Sequence, residues 1–428
     1  MSGSRISSSA SKIEGDECML SQAENQLLTR AGPGTLMGEL FRRFWLPALQ
    51  LWELPEPDCP PVRFRILGED LVAFRDSEGR VAFLRENCPH RGASLFFGRN
   101  EESGLRCVYH GWKFDVSGAC VDMPSEPAES NFKAKVRAAV YPGVEHGGLI
   151  WIYMGPPEKQ PPLPHYHWCI QPKSETLRVY KWMQESNWVQ GLEGNIDTAH
   201  IGFLHRTLDQ MGAQRIPGNF NAPRLQLIET EFGFVYGGRR DRPEGDYYWR
   251  LTPFVLPTFT SIPNPVWGGG GLFVIPRDDT TSWWFTISEP MPAYATTPYV
   301  DLIPGTWRQT RNRENDYMID REMQRTYNYS GMVTNRVQDA AVTESMGAVY
   351  DRTREHLGTS DLAIIFMRRY LLRLARQLQE GIEPRVLSDP RLFLVRPVHI
   401  YTEEADLRPI WERDHAEHLR QPVAVPAG

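Results

Sequence analysis

Two short stretches in the first third of the chain pair a thiol with an imidazole: Cys88 with His90, and Cys107 with His110, with sixteen residues between the pairs. A structural zinc site usually groups like with like, two cysteines on one knuckle and two histidines on a helix. Mixed arms suit a two-iron cluster better. Both thiolates hold one iron and both imidazoles the other, so each arm reaches both metals. Gly92 and Gly111 stand beside the ligands and let backbone amides approach the sulfurs. Such hydrogen bonds, with imidazole ligation, raise the reduction potential above that of an all-thiolate cluster. The plain alternatives are a zinc knuckle or four unrelated core residues.

A second constellation lies in "NWVQGLEGNIDTAHIGFLH", where His200 and His205 follow Glu193 and Asp197. A helix carrying these residues aims several ligand-type groups at one region, although a spacing of five requires the helix to bend or end nearby. Two neutral imidazoles and a carboxylate form a facial triad that leaves positions on Fe(II) open for dioxygen. The alternative is a pair of histidines satisfied in a core. On chemistry alone Asp316, Asp320, Asp339 and Glu344 serve equally as the carboxylate. With the cluster alone the chain is an electron-transfer protein; with the second iron it is an enzyme.

The elements that must position these groups are legible in outline. Residues 1–18 are Ser-rich without an apolar segment and read as a disordered leader. Residues 19–50 have helical spacing interrupted at Gly32, Pro33 and Gly34, and read as a helical packing arm. Short β-type runs separated by turn residues make 51–158 a small all-β domain that carries the cluster motif. The proline-dense "GPPEKQPPLPHYHW" then reads as an extended linker. Residues 159–428 form an α+β domain, with a helix near 185–205, an aromatic-rich β region over about 224–290, and helices over about 306–330 and 360–380. Ser360 and Asp361 are cap candidates for the last helix and Gly381 its stop.

Composition narrows the class. The 428 residues are 41% hydrophobic and 23% charged, with a net charge of -6 and scattered basic residues, so no nucleic-acid footprint is visible. No stretch approaches the roughly 18 apolar residues a membrane span needs. Six cysteines are too few for a disulfide scaffold, so Cys18, Cys59, Cys120 and Cys169 read as isolated thiols in a cytoplasmic protein.

From about Met19 onward the sequence resembles the oxygenase component of the Rieske non-heme iron ring-hydroxylating oxygenases, of the phthalate-dioxygenase type with one kind of subunit. The resemblance is carried by "GPGTLMGEL", "CPHRGASLFFGRNEESGLRCVYHGWKFD", "DMPSEPAESNF" and "RVQDAAVTESMGAVYDR". It implies a Rieske 2Fe–2S cluster on Cys88, His90, Cys107 and His110, and a mononuclear Fe(II) on His200, His205 and Asp339. It also implies a catalytic domain in which helices cover an antiparallel sheet (helix-grip, START-like), and a homotrimer or stacked trimers. Asp197 then bridges His200 to His110 of a neighbouring subunit. The chain has no plant-type Cys-x4-Cys-x2-Cys run and no GxGxxG turn, so a separate flavin- or ferredoxin-type reductase fed by NADH or NADPH is its expected partner. The glycines of "GPGTLMG" and of 268–271 read as turn or packing glycines.

The expected product is a hydroxylated arene formed from O2 and an aromatic substrate. Aromatic runs such as "YYWRLTPFVLPTFTSIPNPVW" and "WWFTI" are candidates for the pocket wall. Relatives that take ring carboxylates clamp them with arginines, and Arg215, Arg224, Arg239 and Arg250 are available here, Arg224 and Arg250 being the tentative choices. "SIPNPVW" shows no basic residue where phthalate-type relatives place one, which turns the expectation toward other aromatic carboxylates or related arenes. Monohydroxylation, or O-demethylation of an aryl ether, is the alternative reaction. Arg368, Arg369, Arg373 and Arg376 form a basic stripe that reads as a solvated helix face, with docking of an acidic electron donor as the second reading.

Overall fold

A computed structural model of the chain describes residues 19–170, 177–208, 223–263, 270–288 and 300–420. The leader expected over 1–18, Cys18, Arg215 and most of "SIPNPVW" lie outside these residues.

Ser21 opens the first helix, Gln22–Thr29, with a capping box to Glu24, and Thr35 caps the second, Leu36–Arg42. The arm is helical only this far. Trp45–Gln50 is a strand, and it pairs with Leu149–Tyr153 at one edge of the cluster domain's sheet. The run "WLPAL" is buried throughout, a pattern that periodicity cannot assign to helix or strand. From that edge, the six-stranded antiparallel sheet continues through Val140–His146, Val81–Arg85 and Glu69–Arg75 to Val62–Ile66. A smaller four-stranded sheet, Arg99–Glu101, Gly104–Arg106, Lys113–Phe114 and Cys120–Asp122, carries the second ligand arm.

The larger domain is built on an eight-stranded antiparallel sheet. In order these strands are Arg178–Gln184, Ser282–Ser288, Gly270–Pro276, Phe259–Thr260, Tyr247–Val255, Gly233–Asp241 and Arg224–Glu229, with Val398–Thr402 beside the first half of Tyr247–Val255. One face receives the helix Trp188–Ile196, whose Gly191 lies against Trp284 with no room for a Cβ. The other face meets the cluster domain, Trp151 packing edge-on to Phe273 and Phe64 stacking on Trp283. Thus the fold is a small all-β domain joined to an α+β domain whose antiparallel sheet is covered by helices, and one hydrophobic core runs through both and through the arm.

Three expectations need correction. No continuous helix fills 306–330: a 3-10 stretch at Arg313–Met318 precedes a six-residue helix, Arg321–Thr326. Asp316, Tyr317 and Met318 all adopt positive φ, while the side chains of Asn312 and Asp320 bond nearby backbone amides in competition with a helix. The helix Asn335–Ser345, the strand Val398–Thr402 and the helix Leu407–Arg420 are additional elements. The helix Leu362–Gln379 ends at Gly381 as expected, but its basic stripe is not a uniform solvated face. Arg368 is buried against Glu193 and Glu355, whereas Arg369, Arg373 and Arg376 are exposed, Arg373 beside Glu229 and Arg376 beside Glu24. The glycine reading holds where it is visible: Gly38 abuts the Gly32 carbonyl and Gly271 the Phe259 ring, too close for a side chain.

Candidate metal centres

The two cysteine arms fold into matching knuckles. The Cys88 amide donates to the Ala93 carbonyl and the Gly92 amide to the Cys88 carbonyl, at 2.8 and 2.9 Å. Cys107 repeats this with Trp112 and Gly111 at the same distances. Gly92 and Gly111 both sit at φ +77°, a left-handed conformation that glycine adopts without strain. The histidine lies two residues after the cysteine in one arm and three in the other, yet the rings meet with centroids 4.5 Å apart. Both sulfurs are buried in a separate small core with Phe74, Leu84, Leu105 and Phe114. Burial, with the Cys107 thiol beside it, pushes Cys88 up to about 11, so Cys88 needs a cation nearby to exist as a thiolate at neutral pH. The rings reach the surface: His90 stacks on Trp112, and the tip around His110 exposes Phe97, Val108 and Tyr109.

The second centre is assembled from three segments. The helix Trp188–Ile196 is capped by Asn187 and stops at Asp197, which is the break that the five-residue spacing requires. A turn follows, and the loop bearing His205 is held by backbone bonds from Leu208 to Tyr327 and from Tyr329 to Arg206. Asn335–Ser345, capped by Thr334 and packed through Val337, Ala340 and Ala341 on Tyr317 and Met332, brings in Asp339. One ligating atom from each of His200, His205 and Asp339 lies within 4.8 Å of the others. The two Nε2 atoms are 3.2 Å apart, and His205 Nε2 is 3.2 Å from Asp339 Oδ1.

Each imidazole is held from behind. His200 Nδ1 lies 3.2 Å from Asp197 Oδ2, and Asp197 Oδ1 accepts from the Ala199 amide at 2.6 Å. His205 Nδ1 lies 2.6 Å from Gln338 Oε1. Burial works against the Asp339 charge, but Arg336, 3.3 Å away, and the two imidazoles bring its carboxyl down to about 2. Burial likewise opposes charge on Asp197, and the hydrogen bonds from His200 and Ala199 outweigh it, so Asp197 is also an anion.

The other candidates fall elsewhere. Glu193 turns away from the triad into ion pairs with Arg352 and Arg368. Glu344 accepts from the Tyr317 hydroxyl and the Glu185 amide, Asp320 caps Arg321–Thr326, and Asp316 lies in the left-handed turn. Arg224 is a correction: it sits exposed on an edge strand, near Asp241, facing away from the triad. Arg239 shares that opposite face, its guanidinium on the Ala405 carbonyl and over Tyr247. Arg250 does face the triad side, and so does Arg240, which the sequence left unmarked. Arg240 donates to the Thr198 carbonyl, next to Asp197, and Ile201 packs on Tyr248. Burial and the Arg250 charge pull Arg240 down to about 10, so it stays protonated at neutral pH.

Geometry, fold and sequence now define a class. Residues 44–142 match the Rieske 2Fe–2S domain family and residues 152–395 the family described as LigXa C-terminal domain like. The chain belongs to the Rieske non-heme iron oxygenases, as an oxygenase component whose cofactors are a Rieske 2Fe–2S cluster and a mononuclear non-heme iron. It is 39% identical to the phthalate 4,5-dioxygenase oxygenase subunit of Pseudomonas putida, over 85% of this chain and 88% of that one. It is 38% identical to the 3-chlorobenzoate-3,4-dioxygenase oxygenase subunit of Comamonas testosteroni, over 82% and 88%. The terminal oxygenase of carbazole 1,9a-dioxygenase from Nocardioides aromaticivorans shares the fold, with a TM-score of 0.57 at 19% identity over 86% of this chain and 100% of that one. No helix among the described residues is long and apolar enough to cross a membrane.

Proposed function

We propose that this chain hydroxylates an aromatic ring that carries a carboxylate, with Arg250 and Arg240 receiving the anion. The observation that carries this reading is a pair of buried cations with no carboxylate at ion-pair distance among the described residues. Arg240 and Arg250 are 6% and 3% exposed, and neither has a carboxylate within 4 Å among the described residues. Each has one Nη1 with no hydrogen-bond partner, and so has the Thr198 hydroxyl beside them. Burying an unpaired guanidinium is costly, and a carboxylate, which accepts hydrogen bonds from a planar fork, offsets that cost. The relatives named above act on phthalate and 3-chlorobenzoate, both ring carboxylates.

The ligand assignment follows the donor sets. Cys88 and Cys107 would hold one iron of the cluster and His90 and His110 the other; His200, His205 and Asp339 would hold the mononuclear iron. When bound, the cluster supplies single electrons and the mononuclear iron supplies dioxygen chemistry. The protein's part is to turn both Nε2 atoms toward Asp339, to orient the ring by its carboxylate and to connect the two centres. The connection is Asp197 in a ring of three subunits, accepting from His200 within its own chain and from His110 of the neighbour. Exposed apolar residues around both centres support this contact: Phe97, Val108 and Tyr109 at the cluster tip, Phe203 and Tyr329 beside the triad. A separate NAD(P)H-dependent reductase supplies the electrons, and the five described cysteines, all unpaired, suit a cytoplasmic protein.

Three measurements test this. Cys107→Ser is expected to abolish the red-brown colour of the purified protein, since an alkoxide replaces thiolate poorly on iron. Zinc without labile sulfide in the parent protein would contradict the cluster assignment. With a reductase supplied, oxygen uptake and product formation should be stimulated by benzoate-type carboxylates more than by their methyl esters. Arg250→Leu should raise KM for the carboxylate by about 10- to 100-fold, the value of one charged hydrogen-bond pair. Equal KM values for the variant and the parent, or equal turnover of acid and ester, refute carboxylate recognition.

A further inference from the structure

We infer that Gln338 is a positioning residue for the mononuclear iron: it fixes the tautomer and ring orientation of His205 through a closed chain of hydrogen bonds. The inference rests on the assignment of His205 as an iron ligand. The chain begins at the Met332 carbonyl, which can only accept. It receives Gln338 Nε2 at 2.9 Å and Asn328 Nδ2 at 2.8 Å. This orients the Gln338 amide, because its NH2 must face the carbonyl and its oxygen must then face outward. That oxygen is the atom 2.6 Å from His205 Nδ1, so Nδ1 carries the proton and Nε2 offers its lone pair toward His200 and Asp339.

The circuit closes through backbone. Asn328 forms a β-bridge with Thr207, and the flanking bonds from Leu208 to Tyr327 and from Tyr329 to Arg206 secure the loop on which His205 stands. The Asn328 carbonyl oxygen of the side chain accepts from the Gly331 amide at 2.6 Å, which fixes that amide's orientation as well. Every rotatable amide in the ring is therefore fixed by a backbone group of known polarity. Both Gln338 and His205 are buried, so water does not offer an equivalent acceptor when the glutamine is removed. His200 has a carboxylate behind it, whereas His205 has a neutral amide. A charged acceptor at each imidazole would place a third carboxylate beside Asp339 and Asp197.

The test is the affinity for Fe(II) of protein from which the mononuclear iron has been removed and the cluster retained, measured by competition with a chelator. Gln338→Leu keeps the volume and removes the acceptor, and its Fe(II) affinity should fall about 10- to 100-fold, with cluster absorbance unchanged. Gln338→Glu keeps an acceptor for His205 Nδ1 but loses the donor to the Met332 carbonyl, so its affinity should lie between that of the Leu variant and that of the parent. A Leu variant within twofold of the parent overturns the inference, and so does a Glu variant as weak as the Leu variant. If Gln338→Leu does not fold, Gln338→Met, which likewise offers His205 no amide acceptor, takes its place: about a tenfold loss supports the role and an affinity within twofold of the parent overturns it. His200→Ala measured alongside separates the two readings, because an unchanged Fe(II) affinity there refutes the triad itself and leaves nothing for Gln338 to position.

Discussion

Asp197→Asn is expected to leave both metals in place and to slow reoxidation of the reduced cluster in a single turnover by orders of magnitude. The substitution preserves volume but exchanges an acceptor for a donor. Asp197 Oδ1 already serves the Ala199 amide and Oδ2 faces both the amide and Nδ1 of His200, so every neighbour in reach is a donor. An asparagine must turn its NH2 toward one of them. It then lacks the second acceptor that the proposed contact with a neighbour's His110 requires. Reduction of the cluster by its donor should proceed normally. Loss of mononuclear iron would instead identify Asp197 as a ligand, and normal turnover would make it a surface acid.

The second large effect is structural. Glu193 accepts from Arg352 through both oxygens, at 2.8 and 2.9 Å, and from Arg368 Nε at 2.6 Å, and Glu355 holds the remaining side of Arg368. Arg352 is fully buried and Arg368 nearly so. Glu193→Ala leaves the buried Arg352 without its anion and Arg368 with Glu355 alone, which costs about 3–5 kcal/mol, and the melting temperature should drop accordingly. A change below about 1 kcal/mol would show that water reaches the network. The pH dependence has a definite sign. Burial opposes the Glu193 charge, but Arg352 and Arg368 outweigh it and hold the carboxyl below its ordinary value. The contribution is therefore fully present above the ordinary carboxylate range and is lost as pH falls through the depressed value. The parent should lose stability in acid more steeply than the variant.

The two cysteine–histidine arms were legible because four ligand-type residues at fixed spacing leave few chemical readings, and the convergence of His200 and His205 because their spacing requires a helix to bend or end nearby. Asp339 needed the family resemblance, since four downstream acids were chemically equal and only the fold shows which one meets the triad. Arginines were the weakest part of the reading, for a geometric reason. Neighbouring residues on a strand point to opposite faces, so Arg239 and Arg240 have opposite fates, and a side chain's face depends on a register that one sequence does not disclose. Arg224 lies on the face opposite to the one that carries Arg240 and Arg250. Arg368 was hidden differently: in an amphipathic helix an arginine counts as polar surface, and only the distant acids Glu193 and Glu355 turn it inward. Gln338 carried the signal of standing beside Asp339, but nothing local marks an amide that serves an imidazole 133 positions away.

The hydrophobic core that passes from the cluster domain into the catalytic sheet bears on modularity. Its seam is specific: Trp151 against Phe273, Phe64 on Trp283, and the buried Lys181 paired with Glu53 while lying over the rings of Phe64, Trp283 and Trp307. A chimaera that exchanges cluster domains between relatives at the proline-rich junction would join two unmatched halves of this seam and strand a buried ammonium opposite the wrong residue. Potential and substrate range are therefore not independently exchangeable cassettes in this chain. A graft that succeeds must carry Leu51–Glu53 and Phe64 together with the strand Arg178–Gln184 and Trp283, so that the donor's seam travels whole.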